Sequence, residues 1–99
     1  MTAGPLRAWT ALTGPQATGI LIDMHKLDSG LHVGVVRYLR ALALEVGAAV
    51  AAGRPPAGLR LSDGRYSVDV RSDPVIIYYT VHPAERQIRI PDLIWLRTE

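Results

Sequence analysis

The chain has 99 residues, 48% of them hydrophobic and 20% charged, with no cysteine and a formal net charge of +2. That length suits a single domain over residues 1–99, able to bury roughly 60–70% of its unfolded surface without staples, and the missing cysteine excludes disulfides and thiolate metal sites while suiting a reducing cytoplasm. No run approaches the roughly 20 apolar residues that span a bilayer, and the opening MTAGPLRAWTALTGP lacks the apolar stretch of a secretory signal.

Residues 1–14 read as an extended or irregular lead-in, with Trp9 and Leu12 available to pack. Thr13-Gly14-Pro15 opens a first helix, because proline at the first helical position gives up only an N–H that has no partner there. Its apolar stripe is expected to be Ile20, Met24 and Leu27, and Asp28-Ser29-Gly30 is expected to end it with Gly30 as a left-handed cap. A longer helix is predicted over Val33 to Ala52, with Val35, Leu39, Leu42, Val46 and Ala49 on one face. Small residues such as Gly47 and Ala48 let another segment come close to it. Gly53 and Pro55-Pro56 stop it.

The period then changes to two. In LRLSDGRYSVDVR, Asp63-Gly64 signals a two-residue hairpin turn, which pairs Leu61 with Tyr66 and Leu59 with Val68. On that register Arg60, Arg65, Ser67, Asp69 and Arg71 share the opposite face. Val75 to Val81, VIIYYTV, is β-branched or aromatic almost throughout and reads as a central strand covered on both faces. His82-Pro83-Ala84-Glu85 turns the chain, Arg86 to Ile90 forms the next strand, Pro91-Asp92 interrupts it, and Leu93 to Leu96 forms a last edge segment. The expected fold is α+β: an N-terminal helical hairpin packed on a C-terminal antiparallel sheet of three to four strands.

Ten of the eleven basic residues are arginine, and seven of those follow Gly53. Two readings of the strand arginines are open. They solvate one sheet face, with Asp69 available as a cross-strand partner, or their planar forks hold phosphate or carboxylate groups of another molecule. Tyr78 and Tyr79 point to opposite faces, so at most one belongs to a site. His82 sits in a turn, and imidazole is the side chain suited to proton exchange near neutrality. His25 and His32 stand seven residues apart with no further ligand at metal-binding spacing. No phosphate-binding glycine loop, zinc-protease motif or nucleophile elbow is present.

The order of these pieces resembles the RelE/ParE superfamily of toxins from type II toxin–antitoxin systems. Leu6-Arg7-Ala8-Trp9-Thr10-Ala11-Leu12 is similar to the family's lead-in. Gly58-Leu59-Arg60-Leu61 with Asp63-Gly64-Arg65-Tyr66 looks like its short strand, turn and following strand, and Val75 to Val81 looks like its central strand. The resemblance implies a cytoplasmic, growth-inhibiting protein held by a cognate antitoxin and acting on translation by mRNA cleavage or on DNA gyrase. Any cleavage would be that of a metal-independent, ribosome-dependent endoribonuclease that needs no cofactor. Ile76 stands where the family's central-strand arginine is common, and Ser67 and Asp69 stand where lysines often do. The catalytic candidates carried over are therefore Arg71 and Arg97, with Arg60, Arg65, Arg89, Tyr79 and His82 as residues binding nucleic acid or partner. A catalytically degenerate interaction module on the same fold, such as a phage or plasmid accessory protein, is the alternative. Plain nucleic-acid binding is a third.

Overall fold

The computed structural model describes residues 8–70 and 74–96. The first helix, α1 (Pro15–Leu27), starts at proline as its sequence requires. It buries Ala17, Leu21 and Met24, while Ile20 is half-buried and Leu27 is exposed, so the buried stripe lies one position round from the expected one. The reason is that α1 packs in the angle between the second helix and the sheet, which centres the stripe between those two supports.

Only Asp28 separates α1 from α2 (Ser29–Ala51). Its backbone leaves the helical region, with φ −154° and ψ 81°, and its carboxylate accepts the Leu31 N–H at 3.1 Å. One residue therefore stops the first helix and caps the second, and Gly30 is not the expected left-handed cap but sits inside α2. Val35, Leu39, Leu42, Val46 and Ala49 are all buried, as their spacing predicts. Gly47 is the place where close approach matters. A Cβ there would stand 2.5 Å from Trp9 Cγ and 2.8 Å from Nε1, so the Trp9 ring occupies the notch left by the missing side chain. Past the helix, Gly53 takes φ +70° and turns the chain away.

The strands are β1 (Thr10–Thr13), β2 (Leu59–Arg60), β3 (Tyr66–Asp69), β4 (Val75–His82) and β5 (Gln87–Trp95). They form one five-stranded sheet in the order β1-β5-β4-β3-β2. This corrects the expected purely antiparallel sheet of three to four strands: the lead-in is itself a strand, and it runs parallel to β5, Thr10 beside Gln87 and Thr13 beside Ile90. β5 lies between β1 and β4 over residues 87–90, whereas its last part, residues 93–95, pairs with β4 alone and is an edge there, as expected. The helices cover one face, where Val68, Ile77, Tyr79, Ile88, Ile90 and Leu93 meet Leu21, Met24, Leu39 and Val46 in a single core.

Two local departures shape the other face. The β2–β3 connection is not a two-residue turn. Leu61 N–H bonds to Arg65 C=O, and Gly64 N–H, at φ +90°, bonds back to Leu61 C=O, which makes a three-residue loop with glycine in the left-handed position. The register moves by one, so Leu59 pairs with Ser67 and Arg60 with Tyr66. Because side chains alternate, that single step sends Leu59 outward, 67% exposed, and puts Arg60 on the helix side.

The second departure is in β5. Tyr78 pairs with Asp92 and Thr80 with Arg89, so β5 takes three steps where β4 takes two. Ile90 and Pro91 together oppose Tyr79, a β-bulge, and Pro91 with no N–H to donate is at home there. The expected break is instead a kink in one continuous strand. It is also why Ile90 and Leu93, three residues apart, are both buried. Among the described residues no helix is long and apolar enough to cross a membrane.

Candidate functional site on the uncovered sheet face

Directly opposed residues of neighbouring strands share a face, so the pairings give the layout of the face that the helices leave bare. One row runs Leu12, Arg89, Thr80 across β1, β5 and β4, and the next runs Thr10, Gln87, His82. Farther along, Asp92, Tyr78 and Ser67 make a third row, with Ile94, Ile76 and Asp69 beyond it. Leu12 and Ile94 are exposed, and Ile76 and Tyr78 are half-buried. The face is therefore neither a plain solvated surface nor a continuous cationic plate. It mixes aliphatic, aromatic and basic groups.

The loop before β3 supplies its first basic group. Arg65 is held beside Asp63 by a 2.7 Å bond from Nε to Oδ2, and its guanidinium lies 5.0 Å from the centroid of the Tyr78 ring. Asp63 also accepts the Arg65 backbone N–H at 3.0 Å. That backbone N–H, and after it the guanidinium, hold the Asp63 carboxyl below the usual carboxylate range. Tyr78 and Arg65 thus form an ordered cation–π pair on the bare face.

The second group sits at the bulge. Arg89 Nε donates to Gln87 Oε1 at 2.8 Å, and its terminal nitrogen lies 3.7 Å from Glu85. His82 Nε2 and Thr80 Oγ1 are 2.7 Å apart. Between these side chains the bulge opens a hollow of about 380 Å³, walled by Leu12 and Pro91 with Thr13 and Gly14 beside them, backed by the core residue Ile90, and rimmed by Thr80, His82 and Arg89.

The residues predicted from the sequence divide accordingly. Arg89 and His82 meet at the hollow, and Arg65 joins the same face two strands away. Arg60 does not; it lies on the other face, opposite Tyr66, because of the register step. Tyr79 is not a surface group either. It is fully buried, stacked on Tyr66 at 5.5 Å between centroids, and its hydroxyl donates to the Ala57 carbonyl. Its parity matches Val75 and Ile77, which point into the helices, so Tyr78 is the tyrosine of the face. Burial pushes the Tyr79 phenol above its ordinary range. Arg71 and Arg97, the two catalytic candidates, lie outside the described residues.

Sequence reasoning missed Thr80, Leu12 and Gln87. Thr80 is legible in hindsight, since a residue two before His82 in a strand shares its face. Leu12 and its place beside Arg89 depend on the parallel pairing of β1, for which the local sequence carries no signal. Elsewhere, His25 and His32 meet edge-on at 4.8 Å between ring centroids across the helical junction. No group of three or more metal-ligating side chains occurs among the described residues. No known protein family, curated protein or solved structure matches the chain.

Proposed function

We propose that the chain is the toxin half of a bacterial type II toxin–antitoxin pair, a RelE/ParE-like protein that works through the bare face of its sheet. The reading rests on the resemblance of its ordered elements to that family. The observation that supports it most is the division of the sheet, with one face committed to the helices and the other presenting Arg65 over Tyr78 together with Arg89 and His82. A cognate antitoxin segment covers that face in the resting cell, and the released protein engages mRNA on the ribosome or DNA gyrase. Cations and an imidazole on one face are the types of group that stabilise a developing phosphorane charge and move a proton.

Induced expression of the chain alone arrests growth under this reading, and mapping of cut and stalled messages then separates cleavage from gyrase poisoning. Normal growth of cells shown to hold soluble protein overturns it. A second reading, a non-enzymatic interaction module on the same fold, is favoured by a specific fact: Arg65 and Arg89 are each already beside a carboxylate, at 2.7 and 3.7 Å. Under it, Arg71→Ala and Arg97→Ala leave partner binding intact.

A further inference from the structure

The hollow at the β5 bulge has properties that the toxin reading does not require. Its volume, about 380 Å³, is that of a small-molecule site, and its construction is that of one: apolar walls with a few polar groups converging at the rim. The walls come from Leu12 and Pro91 with Thr13 and Gly14 beside them, Ile90 lies behind them with its side chain in the core, and the rim comes from Thr80, His82 and Arg89. We propose that this hollow binds a small organic anion, a single phosphate or carboxylate group carried on an apolar ring or chain.

The polar rim is set for an anion. The guanidinium has five N–H donors, of which Nε is spent on Gln87 and the terminal nitrogen lies only within 3.7 Å of Glu85. The bond to Gln87 fixes the plane of the fork and leaves the outer donors for an oxyanion, the geometry that arginine supplies better than lysine. When His82 Nε2–H donates to Thr80 Oγ1 across their 2.7 Å contact, the threonine hydroxyl proton is left to point into the hollow as a further donor. Glu85 is the one carboxylate placed on these rim groups among the described residues, and it touches Arg89 from outside the hollow's lining.

The apolar walls are set for the body that carries the anion. Two β5 residues facing one on β4 bend the strand locally, and bulges recur beside active sites because they re-aim side chains there. The missing Pro91 N–H removes a donor that the apolar body could not satisfy. The site does not depend on toxicity; a chain without effect on growth keeps the same hollow.

The test is a titration of the 15N-labelled full chain, followed by amide shifts, with phenyl phosphate, inorganic phosphate and benzyl alcohol. Phenyl phosphate is expected to shift Leu12, Thr80 and Arg89 saturably and to bind at least about tenfold tighter than either half-probe, since it alone fills both parts of the site. Benzoate in place of phenyl phosphate decides whether carboxylate or phosphate is the better anion, and saturable binding of either supports the site. Arg89→Gln, with a dispersed spectrum as the check on folding, is expected to weaken binding about tenfold, while Arg65→Gln on the same face leaves it unchanged. Absence of saturable shifts with both anions, shifts centred on other residues, inorganic phosphate binding as tightly as phenyl phosphate, or an unaffected Arg89→Gln variant each overturns the proposal.

Discussion

Two glycines of α2 offer a controlled comparison. A Cβ added at Gly34 would meet no atom within 4 Å, whereas the same atom at Gly47 would lie 2.5 Å from Trp9 Cγ. Alanine in a helix interior is favoured over glycine by about 0.8–1.0 kcal/mol, so Gly34→Ala is expected to stabilise the protein by about that amount. At Gly47 the same gain is opposed by displacement of a half-buried indole that is not the far end of a flexible chain, and overpacking of this kind costs about 1–3 kcal/mol. The net effect of Gly47→Ala is a loss of up to about 2 kcal/mol, opposite in sign to the Gly34 result. Urea unfolding of the two variants at one pH gives both numbers from the midpoints if the slopes agree. A Trp9→Ala background isolates the cause: there Gly47→Ala becomes stabilising, and the cycle yields a coupling of about 1–3 kcal/mol. If Gly47→Ala stabilises as much as Gly34→Ala in the parent chain, Trp9 does not sit on Gly47 and the packing of the lead-in against α2 is wrong.

Other expectations follow from single features. The register of β2 makes Leu59→Lys nearly neutral, within about 0.5 kcal/mol as for an ordinary surface position, whereas Ile77→Ala in the core costs about 2–5 kcal/mol; a large loss at Leu59 restores the two-residue turn. Gly64→Ala places a Cβ at φ +90° and costs about 1 kcal/mol or more from backbone strain alone, with no steric clash to add; an unchanged midpoint refutes the left-handed turn. Tyr79 gives a pH signature. Its phenol is raised by burial first, then by the negative charge of neighbours, while the unfolded chain titrates at about 10. Its contribution is therefore constant below about pH 10 and falls as pH rises above it, by at most about 1.4 kcal/mol per pH unit. Tyr79→Phe is expected to lose about 1–3 kcal/mol at pH 7, because the Ala57 carbonyl loses its donor, and to show a smaller further loss between pH 9 and 11; equal alkaline slopes for the two proteins count against a buried hydroxyl.

What could be read from the sequence was what depends on near neighbours. Periodicity placed the buried face of α2 residue by residue, and alternation identified β3, β4 and the first part of β5. The stripe on α1 slipped because two supports, not one, determine which side it buries. Asp63-Gly64 was recognised as a turn, but its length was not, and a difference of one loop residue was enough to turn Leu59 out and carry Arg60 away from Arg65. Pro91 read as the end of a strand because loss of an N–H usually ends one; the bulge absorbs that loss. At the candidate site, His82, Arg65 and Arg89 came from alternation and chemistry. Tyr79 was misplaced because VIIYYTV is apolar on both faces, so sequence alone does not say which face meets the helices. The hollow itself needed β1 beside β5, a pairing across almost the whole chain.

That pairing has a consequence for how the molecule is made. Thr10 is hydrogen-bonded into a strand whose first residue is Gln87, and β5 is the piece that joins β1 to the rest of the sheet. During synthesis the first strand and both helices leave the ribosome long before the segment that unites them, and such distant closure is slow relative to local folding. The nascent chain therefore waits with its greasy helix flanks and two unpaired strand margins exposed, and arrival of β5 completes the structure in a single late insertion. A chain shortened before Gln87 lacks Ile88, Ile90 and Leu93 as well as the ladder on both sides. It is expected to collect in inclusion bodies rather than persist as a smaller folded protein.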